Sequence, residues 1–593
     1  MFSITRAVEH YHAGRLDLAA AALRQALRQQ PKHPEANHLL AMVLIAQREF
    51  VQAEHFAQRA AALKPDSPDF LNTLGLVHYH RGRLDDAASA LERAASLRPA
   101  WAAPWNNLGS IRMDQKRHAD AADAWEAALR ADPDHADSMQ SYAMLLIHAG
   151  RTDRALPLLR RAAELDPHNP LTVGNIATAI SYHAGASAQD ILDAHRALAR
   201  IIAAREPAVP LTPSTPDLAP DRRLTLGILS PDLREHSVTL FLEPLLSAID
   251  PASFTLRLYS SSAVHDAVTD RLRARAASFD DINALTDAQA ARLIRSHDVD
   301  ILLDLAGRSQ RNRLTIFRHR PAPVQATYLG YAATTGEPDA DFRLVDAITD
   351  PPGTDAFASE RLIRIDDCFL CFAPPLPPDQ APDPAPPPST LHPAGAVTFG
   401  CFNMTMKISP PTVAAWARLL SSLPGSRLLL KAFGLDDRWV RSTFLSQFTG
   451  AGIDLDRVEV VPFTPTREAH LRVYHRVDVA LDPFPYCGTT TTCEAIWMGL
   501  PVVTLRGSTH AARVGASLLH AVGHPEWIAA DADEYVAIAK GLALDAPRRA
   551  ALRSSLRAEL AASPLGDAPA AARRFERALR AMWHEHLARY RPN

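Results

Sequence analysis

Two hydrophobic rhythms divide the chain. Up to about residue 204, apolar and small residues recur at helical spacing. From Arg222 onward, short apolar runs alternate with helical patterns: LTLGILS, FTLRLYS, VDILLDLAG, VQATYLGY and FRLVDAITD. A proline-dense stretch, Pro374–Pro393, interrupts the alternation, which restarts with VTFGCFN, SRLLLKAF, RVEVVPF, VDVALDP and PVVTL. Apolar strands alternating with helices predict parallel sheets with helices on their faces. The expected class is α followed by α/β: an all-α N-terminal region, then two Rossmann-like lobes facing each other across a cleft.

The first region is periodic. Pro31, Pro65, Pro99, Pro133 and Pro167 lie 34 residues apart, and alanines precede them at fixed offsets, at Ala19, Ala53, Ala87, Ala121 and Ala155 and again at Ala26, Ala60, Ala94, Ala128 and Ala162. Alanine lets paired helices approach closely, and proline ends the second helix of each pair. The spacing resembles the tetratricopeptide repeat, which implies five helix pairs stacked into a superhelix whose groove grips a peptide-like partner. The expected boundaries are 1–169 for the repeats, 170–221 for a helical adaptor and proline-rich linker, and 222–373 for the first lobe. A second proline-rich linker follows at 374–395, then the second lobe at 396–565 and a last helix at 566–593, its core running over Ala568–Tyr590.

In open α/β sheets, ligands bind beyond the carboxyl ends of the strands. The most informative loop there lies within Asp478–Leu505, DVALDPFPYCGTTTTCEAIWMGLPVVTL. A strand over Val477–Leu481 runs into a Gly- and Pro-bearing loop. Four threonines, Thr489 to Thr492, then lead into a helix that stops at Gly499. Unpaired N–H groups and the positive end of the helix dipole suit a phosphate or pyrophosphate. One threonine would be an ordinary helix cap; four after Gly488 favour the anion site. Lys407, the single charge in MTMKISPPTV, is placed to neutralise a leaving diphosphate. His470 opens the helix before the key strand and is a candidate to pack on a nucleotide base, with Arg467 one turn earlier. His236 stands at a helix entrance after LTLGILS; on that stretch alone a structural histidine is the better reading. The loop Gly330–Gly336 also lies at a strand end, so Tyr331, Thr334 and Thr335 within it, with Met404 after VTFGCFN, are further candidates to line the ligand cleft.

Composition narrows the partners. A net charge of −3 and a pI near 6.8 over 593 residues leave no basic footprint for nucleic acid or a membrane surface. MFSITRAVEHYHAGR lacks the apolar run of a signal peptide, and no stretch reaches the length of a transmembrane helix. Five cysteines fit a reducing cytoplasm. Cys368-x-x-Cys371, inside the strand-like FLCF, reads as a buried structural pair rather than a zinc or redox site. Asp-x-Asp occurs at Asp298–Asp300 and Asp339–Asp341, as chance allows in a chain this long.

From about Leu224 to Tyr590 the chain resembles the O-linked N-acetylglucosamine transferase and SPINDLY family. The carrying motifs are LGILSPDLREHSV, HRPAPVQATYLGY, ERLIRIDDCFLCF, FNMTMKISP, HLRVYHRVDVALDPFPYCGTTTTCEAIWMGLPVVT and GSTHAARVGASLL. The resemblance implies an inverting GT-B glycosyltransferase that uses a nucleotide sugar, with no cofactor and no metal ion. It implies that His236 lines the junction of acceptor and donor, Lys407 holds the diphosphate, and His470 stacks near the base. It further implies that Gly488, Thr489, Thr490 and Thr491 hold the pyrophosphate, that Glu494 lies near the ribose, and that the last helix crosses back to the first lobe.

The chain also departs from the family. Thr489 replaces the histidine of the animal-type enzymes, and the GTTTTCE and DCFLCF runs are similar to the SPINDLY branch, whose plant members use GDP-fucose. Met404 replaces an amide, and Ala332 and Ala333 replace Pro-Gly. The expected function is transfer of N-acetylglucosamine from UDP-N-acetylglucosamine, or of fucose from GDP-fucose, to Ser or Thr of proteins held by the repeats; the repeats also leave self-association open. The rivals are a tetratricopeptide scaffold with degenerate lobes, favoured by Met404 and the two alanines, and transfer to a small molecule or glycan.

Overall fold

The computed structural model describes residues 2–209, 211, 219–376, 380–390 and 396–588. It divides into two compact units, one of residues 1–146 and 157–167, the other of residues 147–156 and 168–593.

The repeat region holds ten helices, from Phe2–His12 to Thr152–Leu165, arranged as five successive pairs. The first helices begin at Pro34, Pro68 and Ala102, and each of Pro31, Pro65 and Pro99 falls in the turn just before. Ala19, Ala53, Ala87, Ala121 and Ala155 are all buried, as close packing of paired helices requires. Ala60, Ala94, Ala128 and Ala162 are buried as well, whereas Ala26, in the first copy, is half-buried.

The second unit opens with helices Pro170–Ile180 and Ala188–Arg205. Two parallel sheets follow. The first contains β1 (Leu224–Ser230), β2 (Phe254–Ser260), β3 (Ser278–Asp281), β4 (Ile301–Asp304), β5 (Val324–Thr327), β6 (Phe342–Asp346) and β7 (Arg361–Ile365), in the order β3-β2-β1-β4-β5-β6-β7. The second contains β8 (Thr398–Cys401), β9 (Arg427–Leu430), β10 (Val458–Val460), β11 (Val479–Leu481), β12 (Val502–Leu505) and β13 (Ile528–Ala529), in the order β10-β9-β8-β11-β12-β13. Both orders reverse direction beside their first strand, between β1 and β4 and between β8 and β11. That reversal opens a crevice at the carboxyl ends of the strands. All but one residue of β1 is buried, which explains why its sequence is a nearly unbroken apolar run.

Several expectations change. FLCF is not a strand: β7 stops at Ile365, and the backbone beyond bonds outside any ladder, Phe372 N–H to Leu565 O at 2.8 Å and Ala373 N–H to Leu240 O at 2.8 Å. Cys368 and Cys371 are both buried and unbridged. The second proline-rich stretch is more than an extended linker. Ser389 is buried and donates to Asp478 Oδ1 at 2.6 Å while accepting from Arg549 at 2.9 Å. The remainder of both proline-rich stretches (210, 212–218, 377–379 and 391–395) and the end of the last helix at Tyr590 lie outside the described residues. Asp300 and Asp341 accept Arg222 and Arg320, so these triplet aspartates serve ion pairs. The final helix, Ala568–Ala588, packs on the first lobe, with Phe575 against Tyr328 at 5.3 Å and Glu576 accepting from Asp250 N–H at 2.6 Å.

The adaptor helices and the loop after β5 are clamped together at Gly336. Its φ is +70°, and a Cβ there would lie 2.3 Å from the carbonyl carbon of His195. Gly336→Ala is therefore expected to lower the unfolding free energy by about 2 kcal/mol or more, from left-handed strain and overpacking combined. A shift in urea midpoint equivalent to less than about 0.5 kcal/mol, the scale of an ordinary surface change, would show that this loop yields freely.

Candidate functional site

The crevices of the two lobes open on one cavity of about 580 Å³. The second lobe supplies most of its wall: Phe402 and Met404 after β8, Lys431 and Phe433 after β9, and Phe463 to Thr466 after β10. Arg467 and His470, on helix Arg467–Val473, and Thr490, Thr491 and Glu494, on helix Thr490–Trp497, complete that side. The first lobe contributes Arg234, Glu235 and Ser237 after β1, and Asp266. Phe433 and Phe463 are exposed, at 76% and 62%, and offer flat apolar faces at the cavity edge.

A chain of polar contacts runs along the floor. Lys431 Nζ donates to His470 Nδ1 at 2.8 Å, so the opposite nitrogen carries the proton and donates to Glu494 Oε2 at 3.0 Å. Glu494 is buried and also accepts the Tyr474 hydroxyl at 3.2 Å. Burial pushes the Lys431 ammonium below its ordinary pKa, with Glu494 opposing the shift. Both ring nitrogens of His470 are thus engaged. Arg467 stands between two carboxylates, 3.2 Å from Glu235 of the other lobe and 4.0 Å from Glu494.

At the other end of the cavity, the threonines do not precede the helix but form its first turn. Thr489 is the residue before the helix and makes no side-chain cap, while Thr490, Thr491 and Thr492 are already helical. The first N–H groups of any helix lack an intrahelical acceptor, so this turn keeps its anion-binding character. Gly488 does not share in it. Its N–H donates to the buried Asp482 Oδ1 at 2.6 Å, and a Cβ there would sit 2.7 Å from the hydroxyls of both Thr491 and Thr492. Burial pushes the Asp482 carboxyl up to about 6, against the pull of Gly488, Thr504 and Lys407.

Lys407 lies behind this loop rather than on the cavity wall. It is half-buried, donates to Cys487 O at 2.9 Å, and stands 4.5 Å over the Tyr486 ring. Burial lowers its ammonium pKa, with Asp482 opposing. His236 sits in the turn between β1 and helix Thr239–Ala248, half-buried, between the cavity-lining Glu235 and Ser237. Its Nδ1 accepts the Val238 N–H at 3.3 Å, and Asp232 is 3.7 Å away. Burial lowers its pKa, Asp232 opposes, and Arg234 and Arg467 add to the lowering. With Nδ1 accepting, the neutral ring carries its proton on Nε2.

Three expected site residues are drawn elsewhere. Thr334 donates to Glu360 Oε2 at 2.6 Å, and Thr335 gives both its N–H, at 2.7 Å, and its hydroxyl to Glu360 Oε1. A buried carboxylate demands such donors, and Glu360 takes them from a loop expected to face the ligand cleft. Tyr331 spends its hydroxyl on His195 Nε2 at 2.6 Å. Ala333 joins an apolar cluster with Ile180 and Ile191 of the adaptor. Met404, by contrast, is 49% exposed and borders the cavity. Sequence reading missed Lys431 and Phe433, hidden in a run read as strand; their place just past the end of β9 was the available signal. It also missed Asp304 at the reversal of the first sheet, whose carboxyl burial pushes up to about 7 although Gly307 N–H donates to it at 2.6 Å.

Comparison with known proteins places this architecture. The sequence profile of glycosyl transferase family 41 matches residues 193–372 and 390–574, and that of the cilia and flagella-associated protein 70 C-terminal domain matches residues 3–208. The probable UDP-N-acetylglucosamine–peptide N-acetylglucosaminyltransferase SPINDLY of Petunia hybrida is 40% identical over 373 residues, 62% of this chain and 39% of its own length. Its counterpart SEC of Arabidopsis thaliana is 28% identical over 377 residues, 63% of this chain and 38% of its own length. The chain thus spans about two fifths of each of these plant relatives. An O-GlcNAc transferase mutant from Thermobaculum terrenum superposes with a TM-score of 0.71 at 33% identity, covering 94% of this chain and 98% of that one. The chain belongs to glycosyl transferase family 41.

Proposed function

We propose that the chain is an inverting protein O-glycosyltransferase, which moves a sugar from a nucleoside diphosphate to a Ser or Thr hydroxyl. The observation that carries this reading is the shared cavity, where a helix N-terminus bearing Thr490 and Thr491 meets the Lys431–His470–Glu494 chain and the exposed rings of Phe433 and Phe463. An anion-binding end, a polar floor and flat apolar faces are what a nucleoside diphosphate requires of one pocket. The names of the relatives support UDP-N-acetylglucosamine as the donor and a peptide as the acceptor, and the repeat region supports a protein partner.

In the reaction the acceptor oxygen forms a bond to the anomeric carbon from the face opposite the leaving group. The bond from that carbon to the phosphate oxygen breaks, the nucleoside diphosphate departs with the electron pair, and the proton of the acceptor hydroxyl passes to the departing diphosphate. The helix N-terminus stabilises the charge that develops there, as does Lys407 through its place beside the Cys487–Gly488 peptide. His236, with Nδ1 held by Val238 N–H, acts as an Nε2–H donor that orients the reacting groups rather than as the base.

Four measurements test the reading. Purified protein is offered UDP-N-acetylglucosamine and GDP-fucose side by side; hydrolysis or transfer with UDP-N-acetylglucosamine supports the donor assignment, and activity with GDP-fucose alone reverses it. Binding without any turnover toward either donor and a peptide library would make the chain a scaffold. Lys407→Ala is expected to lose roughly 10²–10³-fold in turnover, the scale of one preorganised electrostatic group; a normal rate removes Lys407 from the chemistry.

For His236, Ala should cost about 10²-fold, whereas Gln, which keeps an N–H near the Nε2 position, should recover most of the rate. The wild-type profile should then lack an acid limb belonging to this ring. If His236 is the base, a different result follows: its lowered pKa keeps it neutral down through the ordinary histidine range. The rate would then fall only as pH drops through that lowered value, and Gln would be as poor as Ala. Finally, deleting residues 1–133 should spare donor hydrolysis and transfer to short peptides while glycosylation of whole proteins falls. Equal loss of both in a folded truncation would assign the repeats to the catalytic site.

A further inference from the structure

The helices Pro170–Ile180 and Ala188–Arg205 precede both lobes, and the reaction as written gives them nothing to do. Two of their side chains nevertheless reach loops on which the site depends. Tyr182, two residues past the first helix, stacks its ring on Tyr486, with centroids 4.6 Å apart and planes 17° from parallel. Tyr486 in turn receives the Lys407 ammonium 4.5 Å from its ring centroid, and that ammonium donates to the carbonyl of Cys487, the residue before Gly488. On the other lobe, the fully buried His195 donates from Nδ1 to Ile191 O at 2.7 Å, which leaves Nε2 to accept the Tyr331 hydroxyl at 2.6 Å. The adaptor therefore reaches a loop of each lobe, and the Tyr182 contact leads on to the Lys407 charge.

We propose that Tyr182 is a positioning residue for Lys407, fixing the Tyr486 ring so that its face and the Cys487 carbonyl together hold the ammonium at the start of the threonine helix. The physical case rests on freedom removed. A lysine has four rotatable bonds and one strong acceptor here, so a second contact is needed to define where its charge sits. Cation–π attraction supplies that contact only while the ring keeps its orientation. Tyr486 is half-buried in a loop, and the stacked partner limits its rotation. The contacts span residues 182, 407 and 486, which explains why no motif in the sequence announces them. For its catalytic consequence, the inference rests on the reading that Lys407 acts on the leaving diphosphate.

The test separates position from chemistry. The full chain is treated with an amine-acylating reagent, and the rate of labelling at Lys407 is read by peptide mass spectrometry. Tyr182→Ala should label several-fold faster than wild type, and Tyr182→Phe, which keeps the stacked face, should return to the wild-type rate. Turnover of UDP-N-acetylglucosamine should fall about tenfold in Tyr182→Ala, the loss of one aromatic contact, with the change in kcat rather than in KM. In a Lys407→Ala background the same change should cost nothing further. If Tyr182→Ala does not fold, Tyr182→Leu, apolar but without a flat face, takes its place.

Unchanged labelling, or an equal loss of turnover with and without Lys407, overturns the proposal. Faster labelling in Tyr182→Ala together with normal turnover in Lys407→Ala has a different meaning: Tyr182 positions the lysine, and the reading of Lys407 as a catalytic group is what fails.

Discussion

Asp482 leaves the end of β11 with its carboxylate buried, and one oxygen accepts the Gly488 N–H at 2.6 Å while the other accepts the Thr504 hydroxyl at 2.7 Å. The loop between β11 and the threonine helix is built around this pair of bonds. They tie the loop after β11 to β12, the neighbouring strand, and so set where the helix Thr490–Trp497 begins. A glycine is required at the tether because any side chain would strike the threonine hydroxyls above it. A buried carboxylate is costly unless donors surround it, and burial pushes the Asp482 carboxyl up to about 6 in spite of these donors. Lys407 offsets part of it. The same lysine is thereby kept beside the loop, so the group that stabilises the fold here is also the group whose charge the chemistry would use.

Much of this was legible in the chain and some was not, for reasons that differ by residue. The 34-residue period and the long apolar runs are repeated many times, so helix pairs and the central strands stand out. The strands that escape notice are short or lie at an edge: β3 is SFDD, polar because it borders only one neighbour, and β13 has two residues. The threonine run pointed correctly to the helix N-terminus, but a sequence cannot reveal that Gly488 spends its amide inward. Thr334 and Thr335 look like ligands because they follow a strand. They are instead the donors of Glu360, a residue 25 positions away whose burial no local pattern discloses.

The two lobes treat charge differently, and this gives the cleft its direction. On the second lobe, Lys431, His470 and Glu494 are bonded in a chain, so an arriving ligand meets a floor whose dipoles are already oriented. Across the cleft, Arg467 of one wall pairs with Glu235 of the other, with 31% and 62% of their side-chain surfaces exposed. Pairs of that kind contribute at most about 1 kcal/mol. The cross-cleft contact is therefore weak, whereas Glu494 on the floor is buried and multiply bonded. Arg467 needs little rearrangement when the pair opens, because Glu494 already stands 4.0 Å from its other side. An anionic ligand can replace Glu235 as its partner without leaving a charge unpaired. The asymmetry follows from burial alone: the same residue types, exchanged between the two walls, would give a cleft that resists entry and a floor that gives way.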